Sequence, residues 1–225
     1  MEPIINHEGI QYPMIAQFVS RQKKPLSCID FEGCMHYGFQ RQHRFVQAAS
    51  LSFFLNQDRP KVFNSLIHPE CPIDRYSTEV HGITSKDVKD SPIWNDVATY
   101  FSDIANHHLI LGMNLCSFDL RVLCLEQARI GHPLKQPIHY LDIRNLWGQK
   151  RGTLKDLAHY YGIAEQFDWH SALSDARATA LVFECMLQEK GCAWAESFMK
   201  YYESPAMIQA HDSGFRVPEQ MSLAF

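Results

Sequence analysis

The stretch Leu26 to Gly33, Leu-Ser-Cys-Ile-Asp-Phe-Glu-Gly, constrains the fold of this chain more than any other. It is an apolar run of buried-strand length, yet it carries two carboxylates, Asp30 and Glu32, two positions apart. Strand side chains alternate between faces, so both acids point one way while Ile29 and Phe31 point into the opposite layer. Two like charges on one face of a buried strand repel and lose hydration unless a cation or a shared proton compensates them. A bare Asp-x-Glu by itself better fits a strand edge whose acids stand in water, and it is the partners further along the chain that reverse the balance.

A length of 225 residues suits one domain of moderate size with extensions. The hydrophobic fraction of 46% and charged fraction of 20% are those of an ordinary globular protein. No apolar run approaches the roughly 18 residues needed to span a membrane. The N-terminus lacks the basic start and long apolar stretch of a secretory signal, so a cytoplasmic protein with no membrane partner is expected. Seven cysteines, an odd number without any Cys-x-x-Cys, favour reduced thiols over a disulfide frame or a zinc knuckle. The formal net charge of -4 argues against a protein that grips long duplex through its backbone. If nucleic acid is the substrate, contact is short and local, and metal ions supply much of the positive charge.

The elements follow from periodicity. Residues 1 to 25 have no clear pattern and end in a basic, proline-terminated run, Arg21 to Pro25, that leads into the first strand. Arg44 to Leu55 and Lys61 to His68 read as a hairpin across Asn-Gln-Asp-Arg-Pro, which implies an antiparallel edge to the sheet. Asp74 to Gly82 is a short helix, and Ser91 to about Asn106 a longer one with Ser91-Pro92 as its cap and first turn. His108 to Asn114 is a buried strand, after which Ser117 caps a helix, and Pro137 to Asp142 is a fifth strand. Helices over Thr153 to Tyr161 and Ser171 to Gln188 close the domain. The pattern predicts a mixed five-stranded α/β sheet with helices on both faces, occupying 26–190 between an N-terminal extension, 1–25, and a C-terminal helical extension and tail, 191–225.

Two further acids and a histidine fall at telling places. Asp119 lies in the first turn of the helix after the fourth strand, where the macrodipole alone would favour an acid. Asp175 sits early in the last helix, whose Ala176 and Ala180 allow close approach to the sheet. His170 precedes Asp175 by five positions. Five residues at ~100° each turn a helix by about 140°, so His170 must stand on the loop before the helix to share a site with Asp175.

Asp30-x-Glu32, then Asn114-x-x-x-Phe118-Asp119, then His170-Ser-Ala-Leu-Ser-Asp175-Ala-Arg-Ala-Thr-Ala, resembles the three motifs of the DEDDh 3′–5′ exonuclease superfamily. His81-Gly-Ile-Thr and Leu154-Lys-Asp-Leu-Ala resemble the segments between those motifs, so the likeness covers roughly 26–190. It implies a ribonuclease H-like fold, with Asp30, Glu32, Asp119 and Asp175 holding two Mg²⁺ or Mn²⁺ ions, hard cations that suit carboxylate and water ligands. Two such ions roughly 3.5 to 4 Å apart clamp an in-line displacement, one activating water and one stabilising the leaving 3′ oxygen. The resemblance makes His170 the general base, and Ser171 stands where the sister subclass carries tyrosine.

Its implied substrate is the 3′ end of single-stranded DNA or RNA, with DNA favoured, and its implied product a nucleoside 5′-monophosphate. Phe31, Gly33, Cys34, His81, Asn114 and Phe118 are the candidate substrate contacts, although the rings of Phe31 and Phe118 serve equally well as core. The order Gly33-Cys34-Met35 departs from the family's usual Thr-Thr-Gly, and Gly112-Met113-Asn114 from Gly-His-Asn. Both bear on how the terminal nucleotide is held. The competing reading is a non-catalytic nucleic-acid-binding or polymerase-associated scaffold module. A polymerase or other protein partner would engage the extensions, with Trp194, Phe198, Tyr201 and Tyr202 as its surface.

Overall fold

The computed structural model describes residues 10–37, 41–57, 59–148 and 152–203. The chain forms a mixed sheet of six strands: β1 (Leu26–Tyr37), β2 (Arg41–Phe53), β3 (Lys61–Leu66), β4 (Leu109–Gly112), β5 (Ile138–Asp142) and β6 (Lys200–Tyr202), in the order β3-β2-β1-β4-β5-β6. The β1–β2, β2–β3 and β5–β6 pairs are antiparallel, while β1–β4 and β4–β5 are parallel. The helices are α1 (Pro13–Gln22), α2 (Arg75–His81), α3 (Trp94–His107), α4 (Asp119–Arg129), α5 (Ile143–Trp147), α6 (Leu154–Tyr160), α7 (Ala172–Lys190) and α8 (Cys192–Glu196), with a short 3₁₀ turn at Ala164–Gln166.

Alternation along β1 sorts the core into two layers. Leu26 and Cys28 join α1, α5, α6, α7 and α8 on one face of the sheet. Ile29 and Phe31 join α3 and α4 on the other. There Phe31 stacks on Phe45 at 4.2 Å between ring centroids and meets Phe101 at 5.0 Å. Such apolar burial on both faces makes β1 the central strand and leaves Asp30 and Glu32, in phase with Cys28, on the α7 side.

The expected elements are present with shifted ends, and three of the named strands and helices were not foreseen. The sheet has six strands rather than five because β6, in the C-terminal extension where helix and tail were expected, pairs along the free edge of β5. The first 25 residues are more than a lead-in: α1 buries Ile15, Phe18 and Val19, an i, i+3, i+4 set. Its N-terminus is capped from a distance, since Glu184 on α7 accepts the Met14 and Ile15 N–H groups at 2.9 and 2.8 Å. α5 is a single-turn piece too short for a periodic signal, and α8 lies in the C-terminal extension, where helix was expected. Ser117 does not cap α4. Phe118 holds that position, and the Ser117 hydroxyl bonds the Asn114 carbonyl at 2.8 Å instead. Trp194 and Phe198 pack on the α7-side core, while Tyr201 is exposed and Tyr202 packs against the other layer. The parts of the two extensions in 1–9 and 204–225 lie outside the described residues.

Candidate metal centre and nucleotide site

β1 outruns its parallel neighbour. It pairs with β4 only from Leu26 to Cys28, so at Asp30 the β4 side of the strand is open. β4 ends at Gly112 and the chain turns through 113–118 into α4. This opens a crevice beyond the carboxyl ends of the parallel strands, the place where α/β sheets commonly bind ligands. Asp30 and Glu32 line it from β1, and Asp175 reaches it from the first turns of α7.

The ligand oxygens of Asp30, Glu32 and Asp175 all lie within 4.8 Å of one another. Asp119, the first residue of α4, stands beside this trio. Its carboxylate is buried and accepts a backbone hydrogen bond from Phe31. Burial holds the Asp30 carboxyl far above the usual carboxylate range, and the charges of Asp119, Asp175 and Glu32 push it further in the same direction. Burial raises Glu32 to about 7, with Asp175 adding to it. Asp119 rises to about 8, chiefly by burial, against the backbone hydrogen bonds that favour its charged form. Burial takes Asp175 to about 6, opposed by the His170 backbone N–H. Four carboxyls that resist ionising together want a compensating positive charge.

The donor set fits that charge. Asp175 Oδ2 accepts the His170 N–H at 3.1 Å, while Oδ1 is buried without a hydrogen-bond partner. A buried, orphaned carboxylate oxygen on one of three clustered acids suits a hard divalent cation such as Mg²⁺ or Mn²⁺, which takes carboxylate and water ligands. Asp30, Glu32 and Asp175 would hold such an ion, with Asp119 alongside.

His170 is exposed and lies on the loop before α7, with a left-handed backbone at φ 64°. That loop folds back onto the helix it precedes: Asp168 N–H donates to Ser174 Oγ at 3.0 Å, and His170 N–H donates to Asp175. The histidine's distance from the acids is thus set through the backbone.

The expected substrate contacts divide. Phe31 is core, 4% exposed and stacked among Phe45, Trp94 and Phe101, so its ring is not available for base stacking. What Phe31 offers the site is its backbone, to Asp119. Cys34 is also buried, its thiol 3.9 Å from that of Cys71. Gly33 follows a break in the β1–β2 register between Glu32 and Gly33. A Cβ on Gly33 would come within 2.5 Å of the Phe118 ring and 3.0 Å of the Arg44 carbonyl, so glycine is what allows Phe118 to lie over the strand. Phe118 is half-buried, edge-on to His43 at 5.3 Å and to Phe45 at 6.1 Å. His81, at the end of α2, accepts the Ile83 N–H at 3.0 Å. Burial lowers its imidazole pKa, the Gly33 backbone opposes the shift, and nearby His170 adds to it.

Asn114, at φ 61°, belongs to a loop wrapped around an acid with no counterpart in the motifs. Asp142 ends β5 and is 6% exposed. It accepts the N–H groups of Asn114, Leu115 and Arg144 at 2.9, 3.0 and 2.9 Å. Its one sequence signal is an acid directly before a helix, the N-cap position, and it does cap α5. Gln47 on β2, opposite Glu32, gave no signal, yet it accepts the Ala172 N–H at the start of α7.

Residues 28–183 match the family described as Exonuclease (RNase_T). The chain is 27% identical over 157 residues to the DNA polymerase III subunit epsilon of Buchnera aphidicola subsp. Baizongia pistaciae, covering 66% of this chain and 63% of that protein, so it spans less than two thirds of that relative. Among solved structures it superimposes on exonuclease X in complex with 5′ overhanging duplex DNA, with a TM-score of 0.57, 25% identity, and 77% and 96% of the two chains covered. The nuclease domain of 3′hExo, a DEDDh family member bound to rAMP, shares the fold at a TM-score of 0.61 and 17% identity, over 80% and 97% of the chains. With a ribonuclease H-like sheet and its acids gathered at the open end of the central strand, this chain belongs to the exonuclease family.

Proposed function

We propose that this chain is a metal-dependent 3′–5′ exonuclease that releases nucleoside 5′-monophosphates from the 3′ ends of single-stranded nucleic acid, with DNA favoured over RNA. One observation carries the reading: three carboxylates from β1 and α7 converge within 4.8 Å, and one of their oxygens, Asp175 Oδ1, is buried without a partner. When bound, two Mg²⁺ or Mn²⁺ ions supply Lewis-acid activation of water and stabilisation of the leaving oxygen. Asp30, Glu32, Asp119 and Asp175 hold the negative charge that keeps those ions in the crevice. His170, exposed at its mouth, takes the water's proton. Imidazole suits that task because its charge change lies nearest neutral pH. Asn114, the backbone at Gly33 and His81 are the residues assigned to holding the terminal sugar. The half-buried Phe118 ring offers a stacking surface that tolerates any base.

A DNA substrate is supported by the likeness to a DNA polymerase III epsilon subunit, and a polymerase partner follows from the same likeness. The exposed Tyr201 on β6 is a candidate contact for it. The test is digestion of matched DNA and RNA oligomers, labelled at the 5′ end, with Mg²⁺ or Mn²⁺. A ladder shortening from the 3′ end with mononucleotide products is expected. Asp30→Ala and Asp175→Ala abolish it, and His170→Ala slows it by about 10²- to 10⁴-fold. Undiminished digestion by Asp175→Ala would exclude this mechanism.

A further inference from the structure

A helix begins with N–H groups that its own turns do not satisfy, and they need partners from elsewhere. α7 lacks the usual solution, because its N-cap residue Ser171 makes no side-chain hydrogen bond to the first turn. The Ala172 N–H donates instead to Gln47 Oε1 at 3.1 Å, across 125 residues of chain. Gln47 is 9% exposed on β2, directly opposite Glu32 in the antiparallel register. Its side chain therefore stands on the same face of the sheet as the Glu32 carboxylate, beside the point where the register shifts after Glu32.

The amide has no freedom to turn over. A backbone N–H only donates, so Oε1 must face Ala172, and Nε2 then donates to Asn64 Oδ1 at 3.1 Å on β3. From Ala172 the connection runs to the site without a loose joint. The first intrahelical bond, Asp175 N–H to the Ser171 carbonyl, spans 2.9 Å, and the Asp175 carboxylate in turn takes the His170 N–H. The residue opposite one ligating acid thus fixes the helix that delivers another. A glutamate at position 47 would accept the same N–H, but at the price of a further negative charge opposite Glu32. Glutamine gives an acceptor without one.

We propose that Gln47 is a positioning residue of the metal centre, setting the distance from Asp175 on α7 and His170 on the loop before it to Asp30 and Glu32 on β1, with Asn64 holding its amide in register. The inference rests on the metal-dependent reading above. Partners that orient metal ligands without touching the metal are worth about 10- to 100-fold in affinity or activity when removed.

The experiment is Mn²⁺ titration of the metal-free full chain by electron paramagnetic resonance, with thermal melts in chelator alongside. Gln47→Met keeps the volume and loses both hydrogen bonds, and Asn64→Ala alters an exposed side chain. Gln47→Met is expected to weaken Mn²⁺ binding by about 10- to 100-fold. In oligomer digestion it lowers kcat and raises the Mn²⁺ concentration for half-maximal rate, while KM for the oligomer stays as in the wild type. Asn64→Ala shifts both in the same direction by a smaller factor. A folded Gln47→Met chain that binds Mn²⁺ as the wild type does would overturn the proposal. Should Gln47→Met fail to fold, wild-type binding and kcat in Asn64→Ala would overturn it equally. A wild-type chain that binds no Mn²⁺ would remove the metal reading itself, and the role of Gln47 with it.

Discussion

Glu32→Gln tests the electrostatics of the site through stability, without any substrate. The carboxyl of Glu32 ordinarily titrates at 4.5 and is held at about 7 in the folded, metal-free chain. A tenfold change in proton affinity is worth about 1.4 kcal/mol, so ionising Glu32 costs the folded chain up to ~3 kcal/mol relative to the unfolded one. Partial contact with solvent brings that to roughly 1–2 kcal/mol. Because the folded value is raised, the penalty is absent below the unfolded value, grows as pH rises, and is complete above about 7. In chelator, Glu32→Gln should match the wild type at pH 4 and exceed it by ~1–2 kcal/mol at pH 8. Saturating Mg²⁺ should reverse the order, since binding to the folded state stabilises the chain that keeps its ligand. Urea unfolding at both pH values, with chelator and with Mg²⁺, reads all four numbers. No gain for Glu32→Gln in chelator at pH 8 would refute the claim that burial, with Asp175 adding to it, holds the Glu32 carboxyl above its ordinary range in the apo site.

Other consequences are more local. Asp142→Ala strands three backbone N–H groups and should lower stability by ~3 kcal/mol or more, with the Asn114 and Leu115 amides losing hydrogen-exchange protection first. Glu184→Ala leaves the Met14 and Ile15 N–H groups without partners. It should cost ~1–3 kcal/mol by urea unfolding, while Mn²⁺ binding stays unchanged. Gly33→Ala drives a methyl group into the Phe118 ring, for a loss of ~1–3 kcal/mol and a raised KM; Phe118→Ala in the same chain should return part of the stability but leave KM high.

Period-two alternation was enough to put Asp30 and Glu32 on one face, because a strand buried on both sides has no other way to arrange them. The five-residue offset likewise placed His170 outside α7, since helical geometry forbids the alternative. Taken singly, Asp119 and Asp175 read as helix-end acids; only the motif resemblance grouped them with Asp30 and Glu32, and what joins them to β1 is long-range pairing of strands that no local pattern contains. Gln47 and Asp142 act by accepting backbone N–H groups from distant segments, a role any polar side chain of the right reach could fill, so residue type alone does not mark them. β6 is three residues long, below the length at which alternation means anything, and its existence follows from the free edge of β5. The Ile15, Phe18, Val19 stripe of α1 was present in the sequence but obscured by the polar residues around it. Phe31 shows the limit of reading by analogy: it sits between Asp30 and Glu32, yet alternation sends its ring into the core.

The central claim is that four dispersed carboxylates form one divalent-cation site. Crystals of the full chain soaked in Mn²⁺ and measured at the manganese absorption edge test it directly. The account predicts anomalous density among Asp30, Glu32 and Asp175, with Asp175 Oδ1 among the ligands and Asp119 alongside. Density elsewhere on the chain, or none at millimolar Mn²⁺ with the acids in their present positions, would contradict it.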